Sequence, residues 1–277
     1  MQPSVAHITI KKINAGEQTE VEDKLAVEEP LEIQLGWQES TGYAQKNISV
    51  TMRTPGNDAE LAAGFLFTEG IIHHIDQIQH ILPQPNSVLV TLKPGEAPRL
   101  QQAERNFFST SSCGVCGKTG IDAIKVEPIF TKGDQHELKV PAGLFYGLQH
   151  TLQQKQELFE STGGIHAAGL FDVHGACVLL REDIGRHNAV DKVIGVALQN
   201  NQLPLSQHIL LLSGRAGFEL VQKAVMAGIP VIAAVGAPSS LAVQLAIEHN
   251  ITLIGFLRDD RFNVYSGGER VQVSGQW

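Results

Sequence analysis

Cysteine is scarce in this chain, with three in 277 residues. That number excludes a disulfide framework for a protein of this size. No stretch offers the roughly 18 continuous apolar residues that a membrane-spanning helix needs. The longest apolar runs are interrupted, strand-like pieces. The opening, MQPSVAHITIKK, has no apolar core of signal-peptide length. Positive charge is also limited: 21 Lys and Arg against 29 Asp and Glu give a formal charge of -8. Neither duplex DNA nor a long RNA is therefore expected as main partner, although one local basic site is compatible with this balance. There is no Walker or dinucleotide fingerprint, no internal repeat and no low-complexity tail. The expectation is a cytoplasmic protein with reduced, usable thiols.

A hydrophobic content of 43% is enough for a real core, and the length suits one large domain or two ordinary ones. The most informative stretch is Asn106–Gly120, NFFSTSSCGVCGKTG. It holds Cys113 and Cys116 as a C-x-x-C pair, after Ser109, Thr110, Ser111 and Ser112 and among Gly114, Gly117 and Gly120. Glycine and serine tolerate turn geometry and lack bulky anchoring side chains, so the segment reads as a mobile loop with reachable cysteines. Lys118 and backbone N–H groups favour a thiolate there. Such a pair can exchange disulfides, carry a persulfide or bind metal. A zinc site needs three or four protein ligands, whereas no second C-x-x-C exists and Cys177 lies in a run that reads as a buried strand.

The first part of the chain reads as a small mixed α/β domain. Residues 1–24 form a polar lead-in with one strand at Val5–Ile10, and a second strand covers Tyr43–Arg53 up to the turn Thr54-Pro55-Gly56. Asn57 or Asp58 caps a helix with Leu61, Phe65 and Leu66 at core spacing, stopped by Gly70. Val88–Leu92 and Ile124–Ile129 read as strands, and Thr131–Glu137 as a polar turn. A boundary is expected near Val140, giving domains 1–140 and 141–277.

Beyond it, Leu144–Phe159 reads as one long helix whose glutamines form a solvated face. Ile165–Phe171 and Ala176–Arg181 form a strand pair. Helices at Asn188–Leu198, Phe218–Ala227 and Ala242–Glu248 then alternate with apolar strands at His208–Leu212, Pro230–Val235 and Ile251–Leu257. The pattern predicts a three-layer α/β domain with helices on both faces, ending in a polar tail at Ser266–Trp277.

In such a sheet, ligands bind beyond the carboxyl ends of the strands. Asp183, Arg186 and His187 leave one strand and enter a helix; Ser213, Gly214 and Arg215 do the same, as do Gly236 and Ser239, while Arg258 and Asp259 follow the last strand. His166 lies just inside the first strand of this half. Helix N-termini with glycine and serine offer N–H groups to anions, and arginine adds bidentate contacts to phosphate. Asp183 or Asp259 suits the N–H edge of a base such as guanine. His166 and His187 are candidate proton shuttles or ligand hydrogen-bonders. Ordinary ion-pair networks among the same residues are the competing reading. A nucleotide- or pterin-like ligand with phosphates is the expectation.

Met52–Ile72 (MRTPGNDAELAAGFLFTEGII), Ser111–Gly117, Thr162–Phe171 (TGGIHAAGLF), Arg181–Gly195 (REDIGRHNAVDKVIG), Leu212–Ala224 and the run around Val235–Ser239 occur in this order. Together they resemble the formate dehydrogenase accessory sulfurtransferase family, FdhD, over nearly the whole chain. The resemblance implies a carrier that takes sulfur from a cysteine desulfurase as a persulfide on Cys113, with Cys116 assisting. The sulfur passes to the bis-(molybdopterin guanine dinucleotide) molybdenum cofactor of formate dehydrogenase. It further implies a homodimer, guanosine diphosphate as a mimic of that substrate, and no tightly bound cofactor of its own. The second half resembles the cytidine deaminase-like fold, but His187-Asn188-Ala189 lacks the deaminase glutamate and Ser213–Ala216 lacks the paired cysteines, so no zinc site is implied. The alternatives are a thiol oxidoreductase, a cofactor-binding chaperone without transfer chemistry and a zinc-binding interaction module.

Overall fold

The structure is a computed structural model that describes residues 2–100, 126–130 and 138–273. The C-x-x-C pair, Lys118 and the turn at 131–137 lie outside them. The chain begins with a hairpin, β1 (Val5–Asn14) and β2 (Glu17–Ala26), closed at Ala15 and Gly16, both in the left-handed region (φ 51° and 90°). Two positive-φ residues make a turn whose twist matches that of the flanking strands.

A four-stranded sheet follows, in the order β4-β3-β6-β5, from β3 (Glu29–Glu39), β4 (Gly42–Arg53), β5 (Ile78–Gln84) and β6 (Ser87–Leu92). In β3, Leu31, Ile33, Leu35 and Trp37 alternate with other residues and are buried, which puts one face of the strand on the core. Between β4 and β5 lies α1 (Asp58–Thr68). This helix is buried on nearly all sides, through Leu61, Ala62, Ala63, Gly64, Leu66 and Phe67. Asn57 precedes it in the left-handed conformation (φ 58°) with no side-chain cap bond. Asp58 instead accepts two 3.0 Å hydrogen bonds from the buried Arg53 guanidinium. The expected cap is thus replaced by an ion pair that ties the end of β4 to the start of α1. Gly70, at φ 70°, ends the helix as expected.

The second sheet has six strands in the order β13-β12-β11-β10-β8-β9. They are β8 (His166–Phe171), β9 (Cys177–Asp183), β10 (Ile209–Leu212), β11 (Val231–Ala234), β12 (Thr252–Gly255) and β13 (Asn263–Ser266). Pairing is parallel along β10-β11-β12 and antiparallel at both flanks. The strand interiors split by period two. Ala168, Leu170, Leu210, Leu212, Ile232 and Ala234 face one core, and Ala167, Phe171, Ile209, Leu211, Val231 and Ala233 face another. The second core is closed by α2 (Ala142–Lys155) through Phe145, Leu148 and Leu152. The first is closed by α4 (Arg186–Gln199), α5 (Phe218–Met226) and α6 (Ser240–Glu248), and it runs on without a break into α1 and the four-stranded sheet. Helices therefore cover both faces, as the alternating pattern predicts, in a mixed α/β protein. β7 (Val140–Pro141) pairs in parallel with β14 (Val271–Gln272).

Several expectations are corrected. The lead-in holds two ten-residue strands, and β3 and β5 are additional to the expected elements. Residues 126–129 form no strand. The long helix is two: α2 stops at Gln156, whose ψ of 84° breaks the helical path, and α3 (Glu157–Thr162) starts anew. Two backbone N–H groups at its start, of Leu158 and Phe159, donate to the Glu182 carboxylate at 2.9 Å each. That partner lies in β9, so the break follows from a tertiary contact that helical periodicity does not encode. Part of the polar tail is ordered as a short 3-10 turn (Gly268–Arg270) and β14, with Arg270 buried.

Candidate functional site

Because β8 runs antiparallel to β10, the start of β8 and the ends of β9, β10, β11 and β12 meet at one end of the sheet. His166 opposes Asp183 across β8-β9. Ser213 continues the β8-β10 pairing: its N–H donates to the Ala167 carbonyl at 3.0 Å, and its Oγ accepts from the Ala167 N–H at 2.8 Å. The loops that leave these strand ends are laced together. Gly236 N–H donates to the Gly214 carbonyl (2.9 Å), Ser239 N–H to Ala216 (3.0 Å) and Phe256 N–H to Gly236 (3.1 Å). A Cβ on Gly236 would lie 2.9 Å from the Arg215 backbone nitrogen and 3.0 Å from its Cα, so only glycine lets the second loop lie this close on the first. Phe256 is 43% exposed and held at φ 53°, a costly conformation for a bulky residue.

The first loop is the most heavily braced. The Asp183 carboxylate is fully buried, ion-paired with Lys192 Nζ at 2.7 Å, and accepts from the Gly185 N–H (2.8 Å) and Asn188 Nδ2 (3.0 Å). Burial raises its pKa, and the Lys192 ammonium opposes that shift. The end of β4 joins in: Thr51 Oγ1 donates to Asn188 Oδ1 (3.1 Å), Asn188 Nδ2 donates to the Met52 carbonyl (2.7 Å), and Thr54 Oγ1 accepts from the Ile184 N–H (3.1 Å). Asp183 thus sets the loop carrying Arg186 and His187 from beneath. His187 Nε2 lies 2.8 Å from Glu219 Oε2, a contact between the first turns of α4 and α5.

Next to this loop the His166 ring lies against Gly214, where a Cβ would be 3.4 Å from Nδ1. Burial lowers the His166 pKa, and the charges of Arg186 and His187 push it the same way against Asp183. His166, Arg186, His187, Ser213, Gly214, Arg215 and Gly236 are therefore brought to one place. Of the other expected residues, Ser239 and Arg258 make contacts within the fold and Asp259 is exposed. Ser239 Oγ caps α6 by accepting from the Ala242 N–H at 3.2 Å. Arg258 Nη1 donates to the Val235 carbonyl at 2.8 Å and to Leu257, fastening β12 to β11. Asp259 is exposed beyond β12.

A cavity of about 440 Å³ opens beside His166 and Ser213. Ile184 and Val235 close it from the sheet side, and Gly163 and Gly164 line it just ahead of β8. Its far wall is α2 and α3, through Gln149, Leu152, Gln153, Gln156 and Phe159. The glutamines expected on a solvated face are thus partly turned inward. Their spacing, i, i+4 and i+7, puts them on one helix face, a signal that the sequence carries. Glu182 and Glu219, which help to hold the site together, carry no comparable signal, because their partners, Leu158 and Phe159 for the first and His187 for the second, are distant in sequence.

The sequence matches the FdhD/NarQ family over residues 26–272. The chain belongs to that family. Its relatives include a protein of Streptomyces avermitilis named sulfur carrier protein FdhD, 48% identical over 261 aligned residues that cover 91% of this chain and 90% of that one. A protein of the same name from Mycolicibacterium paratuberculosis is 47% identical, covering 96% of this chain and 97% of its own. One from Sulfolobus acidocaldarius is 39% identical, covering 97% and 99%. Among solved structures, one described as a putative formate dehydrogenase accessory protein of Desulfotalea psychrophila superposes with a TM-score of 0.76 at 26% identity. That match covers 98% of this chain and all of the other.

Proposed function

We propose that this protein is a cytoplasmic, homodimeric sulfur carrier. It takes persulfide sulfur from a cysteine desulfurase on Cys113 and delivers it to the bis-(molybdopterin guanine dinucleotide) molybdenum cofactor needed by formate dehydrogenase. The observation that carries the reading is the near full-length likeness to proteins named sulfur carriers, at up to 48% identity. The strand-end site supports it. His166, Arg186, His187 and Arg215 gather positive or protonatable groups beside a cavity of ligand size, as binding of a phosphate-bearing substrate requires. On this reading the second half is a cytidine deaminase-like scaffold put to binding, not to deamination.

In the first step the Cys113 thiolate attacks the outer sulfur of the donor persulfide. The new S–S bond forms on Cys113 and the donor thiolate leaves. In the second, the Cys116 thiolate attacks the inner sulfur of the Cys113 persulfide. A Cys113–Cys116 disulfide forms, and the outer sulfur departs with the electron pair as sulfide, to be taken up by the cofactor substrate. A thiol reductant then restores both cysteines. The strand-end groups hold the phosphates of the substrate while this takes place.

The test is intact-protein mass after incubation with an active cysteine desulfurase and cysteine, without reductant, for the native chain and for Cys113→Ala. A gain of about one sulfur mass, roughly 32 Da, on the native chain alone places the persulfide on Cys113. No gain on either, with the desulfurase turning over, rejects the relay and favours a chaperone that only holds the cofactor.

A further inference from the structure

Gln222 is an odd residue for its place. Helix α5 is buried through Leu220, Val221, Ala224, Val225 and Met226, and Gln222 among them is only 5% exposed. A buried amide costs free energy unless it is hydrogen-bonded, so a glutamine here calls for a partner. The partner comes from far along the chain: Gln222 Oε1 accepts from the Val126 N–H at 3.4 Å. Val126 is the first described residue after the stretch that carries Cys113 and Cys116. It does not dock alone. Val126, Ile129 and Phe130 pack against the core to which α5 belongs, and a Cβ on Gly228, two residues past α5, would lie 3.3 Å from the Phe130 ring.

The other end of that stretch is tied down as well. Arg99 N–H donates to the Ile71 carbonyl at 3.1 Å, and Leu100 packs on the same core. Ile71 follows the end of α1, where Thr68 Oγ1 and Glu69 Oε1 lie 2.9 and 3.5 Å from Lys223 Nζ. Lys223 is the neighbour of Gln222, so both ends of the stretch are fastened at points joined by one buried ammonium. Asp191 of α4 binds the same ammonium, and one turn earlier on α4 His187 contacts Glu219 of α5. Glu219, Gln222 and Lys223 are spaced i, i+3 and i+4, so they share one side of α5. We infer that Gln222 is a positioning residue for sulfur delivery: it fixes where the cysteine-bearing chain rejoins the fold, on the helix that also contacts the strand-end site. The inference rests on the reading of the protein as a persulfide carrier. Loading needs only a thiolate that a donor can reach. Delivery needs the sulfur and its acceptor held in register, where a misplacement of about 1 Å costs on the order of a hundredfold in rate. Gln222 therefore bears on the second step and not on the first.

The test compares the full-length protein with Gln222→Met, which keeps the volume and removes the acceptor, and with Gln222→Glu, which keeps an acceptor at the same place. Loading is read as the gain of one sulfur in intact mass after incubation with an active cysteine desulfurase and cysteine. Delivery is read as the formate dehydrogenase activity of cells that lack their own carrier and express each chain at equal level. Anchoring is read as hydrogen exchange at the Val126 amide. Gln222→Met is expected to load sulfur as the native chain does. Its formate dehydrogenase activity should fall by about fivefold or more, and its Val126 amide should exchange about tenfold faster. Gln222→Glu should return the slow exchange and about half or more of the native activity. Where Gln222→Met folds poorly, Val126→Pro removes the donor from the other side and carries the same expectation. Native activity or an unchanged Val126 exchange rate in Gln222→Met would overturn the inference. Loading and delivery that fall together in both Gln222→Met and Val126→Pro would reject a positioning role while the carrier reading stands. A native chain that takes up no sulfur from the active desulfurase rejects the carrier reading, and the inference with it.

Discussion

Gly64 and Gly195 meet backbone to backbone where α1 crosses α4. A Cβ built on Gly64 would lie 2.9 Å from the Gly195 nitrogen, and one built on Gly195 would lie 3.0 Å from the Gly64 nitrogen. Each would also collide with a carbonyl of the facing helix, Asp191 for Gly64 and Glu60 for Gly195. The contact is between main chains, so no side-chain rotation relieves it. Gly64→Ala and Gly195→Ala are each expected to lower stability by about 3 kcal/mol, the upper part of the range for overpacked cores. Urea denaturation measures this, and a native midpoint in either variant would contradict the close crossing.

Gly147 lies in α2 with open space around the position of a Cβ. There, Gly147→Ala should raise stability by about 0.5–1 kcal/mol, since alanine loses less backbone freedom on forming a helix. Comparison with the Gly64 variant in the same denaturation series separates helix propensity from steric exclusion.

The buried Lys223 ammonium donates to both Asp191 carboxylate oxygens at 2.9 Å, and to Thr68 Oγ1 at 2.9 Å. Burial alone would lower its pKa, but the Asp191 and Glu69 carboxylates outweigh that and hold it above the usual lysine value. Asp191→Ala leaves this charge without its main partner, for an expected loss of about 3–5 kcal/mol. Adding Lys223→Met to it should recover a large part of the loss. A double variant as unstable as the sum of the two single ones would show that the pair does not act as a unit.

His166 provides a pH test. Its folded-state pKa lies below the usual value because of burial first and the charges of Arg186 and His187 second. As pH falls through about 6.5, the unfolded chain takes up the proton before the folded one. The ring's contribution to stability is therefore complete above that pH and lost as the solution becomes more acid. The His166 ring protons in NMR should titrate with a midpoint below about 6.5, and Arg186→Gln should move that midpoint upward. A midpoint that rises above the ordinary value in the native protein would contradict the site geometry.

Much of the second half is legible in the sequence because its strands and helices are short, strongly apolar and punctuated by glycine and proline. Val190, Val193, Ile194 and Ala197 fall on the buried side of α4 as their spacing predicts. The rule that ligands meet strand ends also brings His166, Arg186, His187, Ser213, Gly214, Arg215 and Gly236 together from sequence alone. Strand β3 is not among the expected elements although Leu31, Ile33, Leu35 and Trp37 alternate cleanly, so there the signal is present in the sequence. What the sequence does not carry is the partner of each polar group. Asp183 and Arg258 have ligand-like chemistry, yet a buried lysine and two backbone carbonyls engage them. No local pattern names Lys192 as the partner of Asp183, or Val235, on another strand, as a partner of Arg258.

Strand β9 fastens the start of α3 and the Arg186–His187 loop at consecutive residues. The Glu182 side chain holds the start of α3, and the Asp183 side chain holds the Arg186–His187 loop on the opposite face of the sheet. Neighbouring residues of a strand point to opposite faces, so the spacing of these two elements is set by one stretch of covalent chain. Two elements that are far apart in the chain, the start of α3 and the first turn of α4, thus take their positions from two adjacent residues of one strand.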